Sequence, residues 1–380
     1  MRGRFLTRQL LGKFWLPVLL LACSGLMSAL ATSLSEECRS QGNTVQWRTS
    51  TKSRNSITST ASSAPQQQRS LQQKKSGVYS CHRQSLDSAK RQALGFLRDH
   101  VMEFDKAKLN TLGFGARNGT DDDPDGLDKG LVGTTIDLAF QAKLKHPWTD
   151  ALPQEIFYEY VLNYANLNEA RSNWRQLLWD ILDPLVVHEQ QLQLTESQST
   201  TASDTLTLND VVRLVNQKLW SAFPGDNTIY FRSGQTPLIF DPLSVIAFGY
   251  ASCTGLAILL VNALRTVGVA ARVVGTPAWN GKRDKGNHNW VEVYHEGEWT
   301  FLEPSANQTH VNDLETQPCS FWFCNPGHFP SAGDNTTNVY AARLVFSSKD
   351  SYCPMAWEWD CRDVPGEDRT EFYQRSCSQC

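Results

Sequence analysis

The sequence predicts an α+β fold in which one apolar helix packs on a small antiparallel sheet, with a largely helical region before it. Three observations predict this class. From Ser85 to Phe223 apolar residues recur at helical spacing. After Pro224-Gly225-Asp226-Asn227 the pattern shifts to short elements around one strongly apolar helix, Ser252 to Val267. Two runs suited to strands, Trp290 to Tyr294 and Glu298 to Leu302, then flank His295-Glu296-Gly297, which reads as a tight hairpin.

In chain order, Arg2, Arg4, Arg8 and Lys13 precede an apolar stretch from Phe14 to Ala22, and Ala29-Leu30-Ala31 offers small residues for cleavage. Residues 1–31 are therefore expected to be a cleaved secretory signal peptide, with the protein secreted or in the secretory pathway. Two alternatives stay open: an uncleaved signal anchor, which alone would make a membrane a partner, and a lipoprotein box at Leu20-Leu21-Ala22-Cys23, where Leu21 is bulkier than usual. Residues 32–81 are a low-complexity linker. Between Arg39 and Gly77 they are rich in Ser, Thr, Gln, Lys and Arg and nearly free of large apolar side chains, so folding would bury too little to offset chain entropy.

Residues 82–223 form the helical region, opening with Leu86, Ala89, Ala93, Leu94, Phe96 and Leu97. Gly113 to Gly130 is a polar loop; its run Asp121-Asp122-Asp123-Pro124-Asp125-Gly126 resembles part of a calcium loop but lacks the bidentate Glu. Further helices are expected over Leu131 to Leu144, Pro153 to Tyr164, Glu169 to Val187 and Leu206 to Phe223, the last capped by Asp204 or Thr205. Phe157, Tyr158, Tyr160, Tyr164, Trp174 and Trp179 recur at helical spacings and read as interhelical core. Residues 224–306 hold the hairpin, the apolar helix ended by Gly268 and a strand from Ala271 to Gly275. Residues 307–380 are loop-rich and expected to be held chiefly by disulfides.

At 380 residues, with 41% hydrophobic content, the chain can bury a substantial core, and its net charge of −3 offers no support for a nucleic-acid partner. Of ten cysteines, Cys23 leaves with the signal. Setting Cys253 aside leaves Cys38, Cys81, Cys319, Cys324, Cys353, Cys361, Cys377 and Cys380, an even set suited to disulfides of open connectivity. Sequons at Asn118, Asn307 and Asn335 are glycosylation acceptors if the chain passes through a eukaryotic secretory route. His288, His295, His310 and His328 do not fall at converging spacings, and Cys377-Ser378-Gln379-Cys380 stands alone, so no metal and no other cofactor is expected.

Chemistry concentrates in 51 residues, where Cys253 opens the apolar helix, His288 precedes a strand and Glu303 follows the return strand. Unpaired amides at a helix N-terminus favour a thiolate, the nucleophilic form. A histidine paired with the thiol serves as base and then as acid, and a carboxylate on its other nitrogen fixes the tautomer. The amide of Cys253 can donate to an oxyanion, with Gln235, Trp220 or Tyr250 as further donors, and Gly255 permits close backbone approach.

These residues carry a resemblance. Cys253-Thr254-Gly255 with its helix, the run from Gly268 to Gly275, His288-Asn289-Trp290-Val291-Glu292-Val293 and Trp299-Thr300-Phe301-Leu302-Glu303-Pro304 resemble the transglutaminase-like superfamily core. More faintly, Tyr160 to Glu169 and Asn173-Trp174-Arg175 resemble the helical lead-in of an uncharacterised secreted subgroup. The resemblance implies a papain-like α+β fold with Cys253 as nucleophile, His288 as base and Glu303 as orienter, where the family usually has aspartate; Asn307 is the fallback partner. It also implies acyl transfer on an amide of a protein or peptide through a Cys acyl-enzyme, with protease- or amidase-like hydrolysis favoured. Glutamine cross-linking of proteins and an inactive protein- or glycan-binding module are the alternatives.

Overall fold

The computed structural model describes residues 85–114, 130–196, 206–225, 227–234, 237–306, 310–329, 338–346 and 363–380. The signal segment, the linker, the aspartate-rich loop, all three sequons, Gln235, the proposed caps Asp204 and Thr205, and Cys38, Cys81, Cys353 and Cys361 lie outside these residues. The chain divides into two units, Met1–Ala89 and Lys90–Cys380. Residues 85–99 form a helix, α1, whose first five residues are all that is described of the first unit.

The second unit continues with the helices α2 (Leu131–Lys145), α3 (Trp174–Glu196) and α4 (Leu208–Lys218). After α4 come a two-residue strand β1 (Tyr230–Phe231), a short helix α5 (Pro242–Phe248), strand β2 (Tyr250–Ala251) and the long helix α6 (Cys253–Thr266). Strands β3 (Ala271–Thr276), β4 (His288–His295), β5 (Glu298–Leu302), β6 (Tyr340–Ala342) and β7 (Gly366–Asp368) form one sheet in the order β5-β4-β3-β6-β7, and α7 (Thr370–Ser378) closes the chain. Every neighbour in that sheet is antiparallel. The expected α+β class is the one observed, and no described helix is long and apolar enough to cross a membrane.

Three helix boundaries differ from expectation, each for a local reason. The helix after Pro153 runs over Gln154–Ile156, passes into a π-helical turn over Phe157–Val161 and stops there. Asn163 Oδ1 accepts the amide of Ala165, 3.0 Å away, in place of continued helical bonding. Helix α3 starts at Trp174, not Glu169, because the Glu169 carboxylate folds back onto the amides of Asn166 and Leu167 at 2.9 and 2.7 Å. Helix α4 is capped by Thr207, whose hydroxyl accepts from the Asp210 amide while Asp210 accepts from the Thr207 amide, a reciprocal capping box. The box is complete without Asp204 or Thr205.

Helix α6 is buried from Thr254 to Thr266, as its apolar composition requires, and the helical region holds it from behind. Asn166 Nδ2 donates to Asn262 Oδ1 at 2.8 Å, and the Trp148 indole donates to the Val267 carbonyl at 2.9 Å. The aromatics Phe157, Tyr158, Tyr160, Tyr164 and Trp174 are buried core, as their spacing predicts, while Trp179 is only half-buried, with the Lys145 ammonium 5.7 Å from its ring centroid.

Strand alternation divides β4 between two environments. Asn289, Val291 and Val293 share one face, and Asn289 bonds Thr254 of α6. His288, Trp290 and Glu292 share the other, where Trp290, Phe301, Phe323, Phe329 and Tyr373 form an aromatic core. The two-residue turn at Glu296-Gly297 has φ of 51° and 90°, the conformation that suits a tight hairpin.

The C-terminal segment contributes to this same core. β6 and β7 extend the sheet beside β3, and Tyr373 of α7 receives a 2.7 Å bond from the Trp290 indole while donating to Glu292 at 2.9 Å. Glu292 is fully buried and meets Arg272 at 2.8 Å and Arg369 at 3.0 Å, so its charge is compensated on both oxygens. Two disulfides, Cys319–Cys380 and Cys324–Cys377, tie α7 to the loop before it, the role expected for the terminal cysteine pair.

Candidate active site

Cys253 is the first residue of α6, placed there by the short parallel ladder of β1 and β2. Its helix starts without a side-chain cap on Ser252, so the first amides point toward the sulfur's surroundings without an internal acceptor. Gly255 makes the seating possible: a Cβ there would lie 2.5 Å from the Ile239 carbonyl and 2.7 Å from the Ala251 side chain. Cys253 is half-buried and the only free cysteine among the described residues.

His288 opens β4 and reaches the same point from the sheet side. Its ring is hydrogen-bonded to the Cys253 thiol. Its Nε2 faces the Glu303 carboxylate, at 3.0 Å from Oε1 and 3.2 Å from Oε2. Glu303 follows β5, and β5 pairs with β4, so the hairpin brings base and carboxylate together.

Electrostatics follow from this contact. Burial opposes charge on His288, but the Glu303 carboxylate and the hydrogen bonds to Glu303 and Cys253 outweigh it and raise the imidazole to about 10. For Cys253, burial pushes the thiol up, while the bond and charge of His288 and the backbone amide of Asn289 bring it net below its ordinary value. Together they favour a thiolate–imidazolium pair.

Sequence reasoning missed three contributors. Asn289 offers its backbone amide to the sulfur, while its side chain accepts from Thr254 Oγ1 at 2.7 Å. That side chain crosses β3 at Gly275, where any Cβ would sit 2.1 Å from Asn289 Nδ2. Asn216 of α4 is fully buried and holds the chain at Glu303: its Nδ2 donates to the Glu303 carbonyl at 2.9 Å and to that of Asn312 at 3.0 Å, and its Oδ1 accepts from the Ser305 amide at 2.9 Å. Trp322 lies with its ring 5.6 Å from the His288 ring. The adjacency of Asn289 to His288 was the one available signal; Asn216 and Trp322 carry none, being distant in sequence.

Of the further oxyanion donors named from sequence, Trp220 and Tyr250 are described, and both make hydrogen bonds elsewhere. Trp220 is buried with its indole donating to the Asn216 carbonyl at 2.7 Å, and the Tyr250 hydroxyl points to the Pro237 carbonyl at 3.5 Å. Neither lines the cavity of about 920 Å³ that opens on Cys253, His288 and Glu303. Gln235 and the fallback partner Asn307 lie outside the described residues. The sulfurs of Cys319, Cys324 and Cys380 cluster within 4.8 Å, a consequence of two adjacent disulfides, whose oxidised sulfurs are not available as thiolate ligands.

Comparison with known proteins adds a family. The family model described as the transglutaminase-like superfamily matches residues 193–304, a span that holds Cys253, His288 and Glu303. Among solved structures, red sea bream transglutaminase shares 12% identity at a TM-score of 0.34, covering 63% of this chain and 48% of its own. A cysteine-protease candidate from Cytophaga hutchinsonii shares 15% at a TM-score of 0.22, covering 49% of this chain and 62% of its own. A structure titled as a TGase shares 17% at 0.21, covering 41% and 39%. This chain thus spans less than two thirds of each. No curated protein sequence matches it significantly. The matched span ends at Pro304, immediately after the carboxylate that contacts His288.

Proposed function

We propose that this protein is a cysteine-dependent enzyme that transfers an acyl group from an amide of a protein or peptide, with water as the favoured acceptor. The observation that carries the proposal is a half-buried free thiol at a helix N-terminus, bonded to a histidine whose Nε2 is 3.0 Å from a carboxylate.

The Cys253 thiolate attacks the amide carbonyl carbon, and the oxyanion forms beside the first amides of α6. The C–N bond then breaks as imidazolium His288 protonates the leaving amine, giving a thioester on Cys253. Neutral His288 takes a proton from water, whose oxygen attacks the thioester to release a carboxylic acid and the thiolate. Glu303 orients the ring throughout. The chain is read as exported, on the N-terminal pattern of its sequence and the two disulfides.

The test is alkylation by iodoacetamide at pH 6 to 7, followed by product analysis on peptides with and without a primary amine. Wild type should label at Cys253 well above the rate of free glutathione, and Cys253→Ala should abolish that labelling. His288→Ala should lower the rate by about 10²-fold or more. Labelling no faster than glutathione and unaffected by His288→Ala would sink the proposal and leave the inactive binding module. Acid products support hydrolysis; amine adducts at glutamine would replace it with cross-linking.

A further inference from the structure

The cleft around Cys253 is unusually poor in charge. Besides Cys253 itself, only His288 and Glu303 among its described lining residues ionise, and they are committed to each other at 3.0 Å. Its other walls include Phe231, Leu238, Phe240, Leu256 and Trp322. Three of these large apolar side chains face solvent: Trp322 is 67% exposed, Leu238 56% and Phe231 48%. Such exposure next to a nucleophile marks a surface whose hydration is relieved by a ligand.

Two of the walls are held in place. Phe231 belongs to β1, paired in register with Ala251 two residues before the thiol. Trp322 lies between Cys319 and Cys324, whose disulfides run to Cys380 and Cys377. Its ring also meets Trp279 edge-on at 5.8 Å. An aromatic fixed in this way binds with little loss of conformational entropy.

Resting on the reading of Cys253 as nucleophile, we propose that the cleft selects substrates with a bulky apolar side chain flanking the attacked amide, and that Trp322 and Leu238 are specificity-determining walls. Any amide within reach of the sulfur places its neighbouring groups against these side chains. A charged group there would shed water and, among the described lining residues, meet no ion-pair partner outside Cys253, His288 and Glu303.

The test uses one warhead with three tails: iodoacetamides substituted on nitrogen with naphthylmethyl, carboxyethyl or aminoethyl, beside plain iodoacetamide. Each rate on Cys253 is divided by the rate of the same probe on glutathione, which removes intrinsic reactivity. The naphthylmethyl probe should exceed both charged probes by about tenfold or more, the order expected for burying one aromatic group. Trp322→Ala and Leu238→Ala should each shrink that ratio several-fold, and Trp322→Phe should restore part of it. Equal ratios across the tails, or a preference unchanged in both alanine variants, would overturn the inference. The nucleophile is tested separately by plain iodoacetamide in wild type and His288→Ala, and the tail ratio is readable whether or not the thiol is activated.

Discussion

Glu303 Oε1 sits 3.0 Å from Nε2 of His288, so the carboxylate with the longer side chain reaches the imidazole directly. The backbone at Glu303 is set to suit that length, held by Asn216 and Asn312 through the Glu303 carbonyl at 2.9 and 3.3 Å. With the backbone so anchored, an aspartate would draw its carboxylate back from the ring by about one C–C bond. Glu303→Asp is therefore expected to react more slowly with iodoacetamide than wild type at pH 6, and Glu303→Gln more slowly still, since it removes the charge that holds His288 protonated. A faster Glu303→Asp variant would show that the backbone yields.

The pH dependence of alkylation follows from the two shifts. An ordinary thiol loses about tenfold in thiolate for each pH unit below its pKa, so free glutathione should slow by nearly 10²-fold between pH 8 and 6. Cys253 has a lowered pKa and His288 is raised to about 10, so the ion pair persists through this range and the rate should fall far less. In Glu303→Gln the imidazole loses its carboxylate and the Cys253 profile should steepen toward that of glutathione.

Asn216→Ala should separate position from chemistry. It removes three buried hydrogen bonds, to the Glu303 and Asn312 carbonyls and from the Ser305 amide, at a cost of about 1–3 kcal/mol read from denaturant midpoints. If Asn216 also positions Glu303, the variant's alkylation profile should steepen with pH as in Glu303→Gln, a change that loss of stability alone does not produce below the unfolding transition.

Glu292 is expected to matter for folding. Removing it strands buried Arg272 beside the rings of Tyr160 and Trp299, and Glu292→Ala should cost about 3–5 kcal/mol. Glu367, 2.6 Å from Arg272 but partly exposed, offers partial compensation, so Glu367→Ala should cost less.

Reduction of the paired disulfides should lower the melting temperature. Each spans a long stretch, 61 and 53 residues, and chain entropy assigns about 4 kcal/mol to either alone. The two overlap in sequence, so the combined loss should be well below twice that. Cys319→Ser and Cys324→Ser, melted singly and together, measure the overlap.

Local pattern and short-range chemistry were readable without coordinates: the apolar stripe that makes α6, the hairpin at Glu296-Gly297, the cysteine parity that isolated Cys253, and the order Cys253, His288, Glu303. The helix limits were less so, because Glu169, Asn163 and Thr207 spend their side chains on nearby amides, a choice that periodicity does not record. The Trp220 indole follows the same logic: a carbonyl four residues back on the helix is within its reach, and it donates to that of Asn216.

What the sequence determined by itself is the set of candidate residues and the elements that carry them, since residue type, spacing and hydrophobic period act within a few turns of chain. Only the tertiary structure decided that Glu303 reaches His288, that Asn216 from 87 residues away holds it there, and that Trp322 forms a wall of the cleft. Those contacts join segments far apart in sequence, and they form only when burial of α6 and the aromatic core brings the segments together.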